Sequence, residues 1–306
     1  MQDVIQKTIS QIGTILLGKE HQIKLSLTCL ISGGHLLIED LPGMGKTTLS
    51  QTLAKALGLS FNRIQFTSDL LPADILGISI FEKEAGQFTF HPGPIFSQLV
   101  LADEINRATP KSQSALLEAM EEKQVTIEGK TRDLPSPFFV IATQNPNSQA
   151  GTFPLPESQL DRFLMRIELG YPDPAAERIL MEGTDRRTML LTFESIVDEK
   201  NLLKLQTLSQ QVKVSDSLLD YIQRLVAYTR SAPEFAYGLS PRGALALLRC
   251  AKSWALIEGR SHVVPEDVQA ILPGVVEHRL RETADFSGHG GGALAQRLLS
   301  KVDIIG

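Results

Sequence analysis

A chain of 306 residues with 42% apolar and 21% charged side chains has the make-up of a globular protein large enough for two cores, which excludes a disordered or low-complexity chain. Its net charge of −5 is the wrong sign for a protein whose main partner is nucleic-acid phosphate, leaving at most a local basic groove. The first seven residues lack the basic and apolar regions of a signal peptide, and no run approaches the roughly 18 apolar residues of a membrane span, so the reading is cytoplasmic with no membrane insertion.

Residues 3–32 carry apolar side chains at helical spacing, broken by Gly18 and closed by Gly33-Gly34, which predicts two helices before the first strand. Residues 35–39 form a short apolar run, followed by a glycine-containing loop and a helical stretch over 48–57. The theme repeats in the apolar run 99–102, the helix 111–122 and the apolar run 138–142. Continuous apolar strands alternating with helices predict an α/β fold with a parallel sheet covered on both faces.

Between these elements lie two hairpin patterns, one over 78–90 around Glu84-Ala85-Gly86 and one over 125–134 around Glu128-Gly129-Lys130. After Tyr171-Pro172-Asp173-Pro174 the periodicity is helical through 202–208, 218–228 and 244–257. The expected organisation is an α/β nucleotide-binding core over 1–190 and a smaller all-helical domain over 191–306, with a loop at 288–292 before a last short helix. The cysteines, Cys29 and Cys250, are far apart in apolar settings and are read as buried hydrophobes, and no histidine pair has a metal-ligand spacing.

Asp40-Leu41-Pro42-Gly43-Met44-Gly45-Lys46-Thr47 lies between a strand and a helix, where a Walker A phosphate loop belongs. Glycines let backbone N–H groups converge on phosphate oxygens. The helix N-terminus adds a favourable dipole, Lys46 reaches the β- and γ-phosphates, and Thr47 ligates Mg²⁺. Pro42, Gly43, Met44, Gly45, Lys46, Thr47 and Thr48 are the candidate nucleotide-binding residues. Asp40 stands where the pattern has its first glycine. Its side chain is expected to point away from the phosphates, so Asp40→Gly should not tighten ATP binding by more than a few-fold.

Leu99-Val100-Leu101-Ala102-Asp103-Glu104 reads as a Walker B strand, with Asp103 holding Mg²⁺ and Glu104 polarising the attacking water. An acidic pair after a strand is by itself as compatible with a solvated turn. Asn145, in Ala142-Thr143-Gln144-Asn145-Pro146, is placed either to share that water or simply to start a turn before proline.

With these motifs, Pro92-Gly93-Pro94-Ile95-Phe96, Ala102-Asp103-Glu104-Ile105-Asn106-Arg107-Ala108 and Ala142-Thr143-Gln144-Asn145-Pro146 make the chain resemble MoxR-family AAA+ ATPases over nearly its whole length. The resemblance implies ATP and Mg²⁺ as cofactors, a hexameric homo-oligomer with ATP at subunit interfaces, and a chaperone-like remodelling role on a protein partner, often one with a von Willebrand factor A domain. It assigns Arg162, in Leu160-Asp161-Arg162-Phe163, as the arginine finger that reaches the neighbouring subunit, with Arg166 as the fallback. It assigns Arg242, in Ser240-Pro241-Arg242, as a sensor arginine on the first turn of a lid helix, contacting the γ-phosphate of its own subunit. Both hairpins match the insertions of the helix-2-insert clade, where Ile80, Phe81, Phe88 and Phe90 serve equally as pore contacts or as core anchors.

Three other functions share these residues. A nucleic-acid motor is disfavoured by charge, a chelatase-type motor subunit needs partner subunits, and a nucleotide-gated scaffold would not need Glu104, Asn145 and Arg162.

Overall fold

The computed structural model describes residues 1–84, 86–146, 151–183, 186–283 and 294–304. The glycine-rich loop read at 288–292 lies outside the described residues, as does Ala85 of the first hairpin turn.

Helices α1 (Gln2–Ile15) and α2 (Glu20–Ile31) come first, parted at Gly18, followed by strand β1 (Leu36–Glu39), α3 (Lys46–Ala56), β2 (Phe61–Gln65) and α4 (Pro72–Leu76). The hairpin β3 (Gly77–Glu82) and β4 (Gln87–Pro92) precedes β5 (Leu99–Asp103) and α5 (Pro110–Glu122). A second hairpin, β6 (Gln124–Ile127) and β7 (Lys130–Asp133), leads to β8 (Phe139–Gln144), α6 (Glu157–Leu160) and β9 (Met165–Ile167). The remainder is mostly helical: α7 (Pro174–Glu182), α8 (Arg186–Leu191), α9 (Glu199–Gln211), α10 (Asp216–Ser231), α11 (Pro241–Ile257), α12 (Pro265–Val276) and α13 (Leu294–Lys301). To the expected all-helical second part the structure adds one antiparallel pair, β10 (Phe235–Tyr237) with β11 (Arg281–Glu282).

The parallel sheet has the order β2-β5-β8-β1-β9. Its three central strands are buried through their apolar length, which is why they read as unbroken apolar runs. Alternation sends Leu36, Ile38, Leu99, Leu101, Phe139 and Ile141 to one face, and Leu37, Val100, Ala102, Val140 and Ala142 to the other. The fully buried Leu36, Leu37 and Ile38 each contribute roughly 2 kcal/mol by burial. The edge strands β2 and β9 escape the sequence reading because polar residues interrupt them, Asn62, Arg63 and Gln65 in one and Arg166 in the other.

The first face is covered by α1, α2 and α3 together with α9 to α13 in one continuous apolar core. Polar ties reinforce it: Arg249 on α11 donates to the Ser32 carbonyl, Ser32 Oγ bonds Ser253 Oγ at 2.8 Å, and Gln2 and Gln6 donate to the Ile257 carbonyl. The two sequence halves therefore share one interior, and the second half is clamped to the N-terminal helices. No helix among the described residues is long and apolar enough to cross a membrane.

The other face carries α4, α5 and the two hairpins. The hairpins lean on each other, with Ser79 Oγ donating to Glu128 at 2.6 Å and the Arg132 guanidinium 3.8 Å above the Phe90 ring. Phe90 also packs edge-on against Phe96, so it is an anchor. Phe81 and Phe88 pair with each other and remain 50% and 72% exposed, and Ile80 is 49% exposed, so core anchoring accounts for Phe90 but not for these three.

Candidate active site

The phosphate loop leaves β1 and turns through Gly43 and Gly45, whose φ angles of 85° and 89° are conformations in which a Cβ is strained. Gly45 caps α3, so Lys46 and Thr47 occupy its first turn. The Lys46 ammonium donates to the Asp40 carbonyl across the loop. Burial pushes its pKa down, while the carboxylates of Asp40, Asp103, Glu104 and Glu39 act in the opposite sense.

Asp40 behaves as the sequence reading expects. Its Oδ2 accepts the backbone N–H groups of Leu169 at 2.8 Å and Gly170 at 2.7 Å, and its Oδ1 accepts that of Leu41 at 2.7 Å. The carboxylate thus turns away from the phosphate side and ties the loop to the segment after β9. Lys19 holds the same segment, donating to the carbonyls of Leu169 at 2.7 Å and Tyr171 at 2.6 Å.

Parallel pairing sets the ends of β1, β8 and β5 side by side, with Glu39 opposite Gln144 and Ala102 opposite Ala142. Asp103 and Glu104 therefore stand two strands, or about 10 Å, from the loop. Asp103 is buried at its strand end, with Oδ1 accepting the Thr143 hydroxyl at 2.6 Å and Oδ2 accepting Arg63 Nε at 3.0 Å and Nη2 at 2.7 Å. Glu104 adopts the left-handed conformation, φ 55° and ψ 51°, which costs a non-glycine residue about 1 kcal/mol or more and is held by its N–H donating to Thr143 Oγ1 at 2.9 Å. The turn aims its carboxylate out of the strand, where Arg107 Nε lies at 3.1 Å and Gln65 Nε2 at 3.4 Å.

Thr143, Arg63, Gln65 and Arg107 are not among the candidate site residues read from the sequence, although Thr143 and Arg107 lie within its quoted motifs. Thr143 had a signal, a hydroxyl two residues before Asn145 in the same motif. Arg63 and Gln65 had none, because β2 meets β5 only in the folded sheet. Asn145 follows β8 at the same edge, its carbonyl 3.5 Å from Asn106 Nδ2. The oxygen donors fit Mg²⁺ bound with a triphosphate: one hydroxyl from Thr47 and one carboxylate from Asp103 are the hard, sparse set that this ion takes, leaving phosphate and water for its other positions.

The arginines sit elsewhere. α5 starts beside the carboxyl end of the sheet and runs back to its amino end, where the Met120 carbonyl meets His35 Nε2 at 3.2 Å, just before β1. At that end Arg162 Nη1 lies 2.8 Å from the Leu117 carbonyl and 2.7 Å from Glu121 Oε2, while Arg242 Nη2 lies 2.6 Å from Glu121 Oε1. Ser240 caps α11 by accepting the Gly243 N–H at 3.1 Å, which fixes Arg242 on the first turn as expected. The two arginines thus share one carboxylate, separated from the phosphate loop by the length of the strands, about 15 Å. Arg242 therefore stands with Arg162 at Glu121 and not beside the phosphate loop, where the family resemblance expects it. Arg166, the fallback finger, is nearly buried and pairs with Glu39 at 2.6 Å and Glu277 at 3.3 Å.

Comparison with known proteins agrees with this architecture. The model of the ATPase family associated with various cellular activities (AAA) matches residues 35–165, and that of the AAA lid domain matches 227–298. The chain is 43% identical to the Bacillus subtilis protein YeaC over 98% of this chain and 95% of that one. It is 41% identical to the chaperone MoxR1 of Mycobacterium tuberculosis, over 92% of this chain and 76% of the relative. The chain belongs to the MoxR family of AAA+ ATPases. A crystal structure from Cytophaga hutchinsonii, of a protein named for an inferred ATPase activity, superposes with a TM-score of 0.88 at 39% identity, covering 99% of this chain and 95% of that one. The family relation extends over the lid as well as the sheet, so Glu121, Arg162 and Arg242 all lie within the superposed region.

Proposed function

We propose that this MoxR-family protein hydrolyses ATP at sites shared between identical subunits of a ring, most simply a hexamer, and uses the cycle to remodel a protein partner. The observation that carries this reading is the separation of the two charge sets. Lys46, Thr47, Asp103 and Glu104 stand at the carboxyl edge of the sheet, and Arg162 and Arg242 meet at Glu121 on the amino edge. A phosphate bound at one edge is out of reach of arginines at the other, so a second copy must supply them.

In this scheme the loop N–H groups and Lys46 bind the triphosphate, and Glu104, with Asn145, orients water and accepts its proton. Thr47 and Asp103 would hold Mg²⁺, which supplies charge neutralisation on the phosphates. Arg162 and Arg242 from the neighbour offset the charge that develops as the terminal phosphoryl group leaves. Protein remodelling is supported by the chaperone name of a 41% identical relative and by the exposed Ile80, Phe81 and Phe88 at the hairpin tip. The family resemblance extends the candidate partners to proteins with von Willebrand factor A domains.

The test is ATPase rate against protein concentration, with mass determination in ATP and without nucleotide, for wild type and Arg162→Ala alone and mixed. Activity per subunit should rise with assembly, and Arg162→Ala subunits should poison wild-type neighbours. A rate independent of concentration, with Arg162→Ala silent, would refute the shared site.

A further inference from the structure

We propose that Arg279 is the positioning residue for Arg162, an inference that rests on the proposed action of Arg162 on a neighbouring subunit. Arg279 lies just past α12, and its side chain is 4% exposed. Its Nε donates to Asp161 Oδ1 at 2.7 Å. Its Nη2 donates to the carbonyls of Phe163 at 2.7 Å and Asp161 at 3.4 Å, and its Nη1 to those of Leu164 at 3.1 Å and Val275 at 2.5 Å. One planar guanidinium therefore grips residues 161, 163 and 164, on both sides of Arg162, while the Arg162 side chain reaches α5. The adjacent His278 ring sits 3.0 Å from the same Phe163 carbonyl.

Packing fixes part of this segment, since Phe163 is fully buried and the Leu164 N–H donates to the His35 carbonyl at 2.8 Å, but Arg279 is what ties the carbonyls on both sides of Arg162 to one group. The segment joins the four-residue α6 to the three-residue β9, and its own backbone bonds are single turns, Arg162 N–H to the Gln159 carbonyl at 3.2 Å and Phe163 N–H to the Leu160 carbonyl at 3.0 Å. The carbonyls of 161, 163 and 164 are unable to continue a helix and are met by the fork of Arg279 instead. Burial pushes the Arg279 guanidinium below its usual range against the pull of Asp161, so this charge is held at a cost. A buried ion pair is weak evidence for stability, since an apolar side chain of similar volume often packs as well. What the fork supplies that packing does not is a fixed direction for the backbone around Arg162.

Arg279→Lys keeps the charge and loses the fork. Measured alone in the full-length protein, it should lower kcat about ten- to a hundred-fold, as expected for a displacement near 1 Å, with ATP affinity within about two-fold of wild type. The deciding measurement is a mixture with Glu104→Gln, which has a dead site but an intact Arg162. The mixture should recover activity that neither variant has alone, since the whole site of an Arg279→Lys subunit receives a correctly held Arg162 from its neighbour. A purely structural role for Arg279 leaves nothing for the neighbour to restore. Arg162→Ala mixed with Glu104→Gln is the control. If the control recovers and Arg279→Lys does not, or if Arg279→Lys alone keeps kcat within about two-fold, the proposal is wrong. If the control does not recover either, the trans reading of Arg162 is wrong and the proposal falls with it. Should Arg279→Lys fail to fold, Asp161→Asn, which loosens the fork by removing its ion pair but leaves the carbonyl contacts, is carried through the same mixtures: a smaller loss of kcat that Glu104→Gln subunits restore is expected, and a loss that they do not restore overturns the proposal.

Discussion

The two edges of the parallel sheet use charge in opposite ways. At the carboxyl edge the groups that would meet the nucleotide lie within short stretches of sequence, residues 40–48 and 103–104, each at the end of a buried strand. At the amino edge Glu121, Arg162, Arg242 and Arg279 come from four distant stretches and meet only because α5 runs back along the sheet and the helical half is clamped to it. The first edge is a site built by local geometry. The second is built by tertiary packing, and in the proposed ring it is the face that would meet the neighbouring subunit's nucleotide.

The largest effect that would break this comparison is a failure to separate binding from hydrolysis. Lys46→Ala is expected to abolish ATP binding, whereas Arg162→Ala should lower kcat about 10³-fold or more while ATP binds with a Kd within about three-fold of wild type. Nucleotide titration beside turnover checks both. Loss of binding by dilute Arg162→Ala would mean that the two edges act within one subunit.

A second effect belongs to the amino edge. His35 uses its neutral ring twice, with Nδ1 accepting the Val140 N–H at 2.9 Å and Nε2 facing the Met120 carbonyl at 3.2 Å, and burial lowers its pKa from 6.5 to about 4. The unfolded chain therefore takes up a proton that the native chain refuses between those values. Stability is fully present above about pH 6.5 and falls as pH drops toward 4, by about 3 kcal/mol for this group. His278, also buried with its pKa lowered, acts in the same direction. Thermal unfolding should show a lower Tm at pH 5 than at pH 7.5, with a shallower slope in His35→Gln. A Tm independent of pH would show that the amino edge opens to solvent.

The smallest effect sharpens the carboxyl edge. Arg63 competes for the Asp103 carboxylate at 2.7 Å but is 47% exposed, so its pull is weak. Arg63→Gln is expected to lower the Mg²⁺ concentration for half-maximal ATPase about three-fold. A rise would mean that Arg63 helps to place Asp103.

Much of the carboxyl edge was legible because its chemistry and its local structure share the same residues. A glycine-rich turn between a buried strand and a helix has few other uses, and central strands read as unbroken apolar runs because both faces are covered. The edge strands β2 and β9 were not legible, since half their residues need no burial, and with them went Arg63 and Gln65. The hairpins were legible as alternation alone. That Phe90 packs inward while Phe81 and Phe88 face out depended on where Phe96 and Arg132 came to lie.

The phosphate loop, the acidic strand end and the capped start of α11 follow from a few adjacent residues each, since local hydrogen-bonding geometry suffices for them. That Arg242 lies beside Arg162 at Glu121, that Arg166 is an internal ion-pair partner, and that Arg279 grips the backbone around Arg162 follow from long-range packing. An arginine is charged wherever it stands, so its role is set by which carboxylate or carbonyl the fold brings within about 3 Å of it, and apart from the Val275 carbonyl beside Arg279 those partners lie 40 or more residues away.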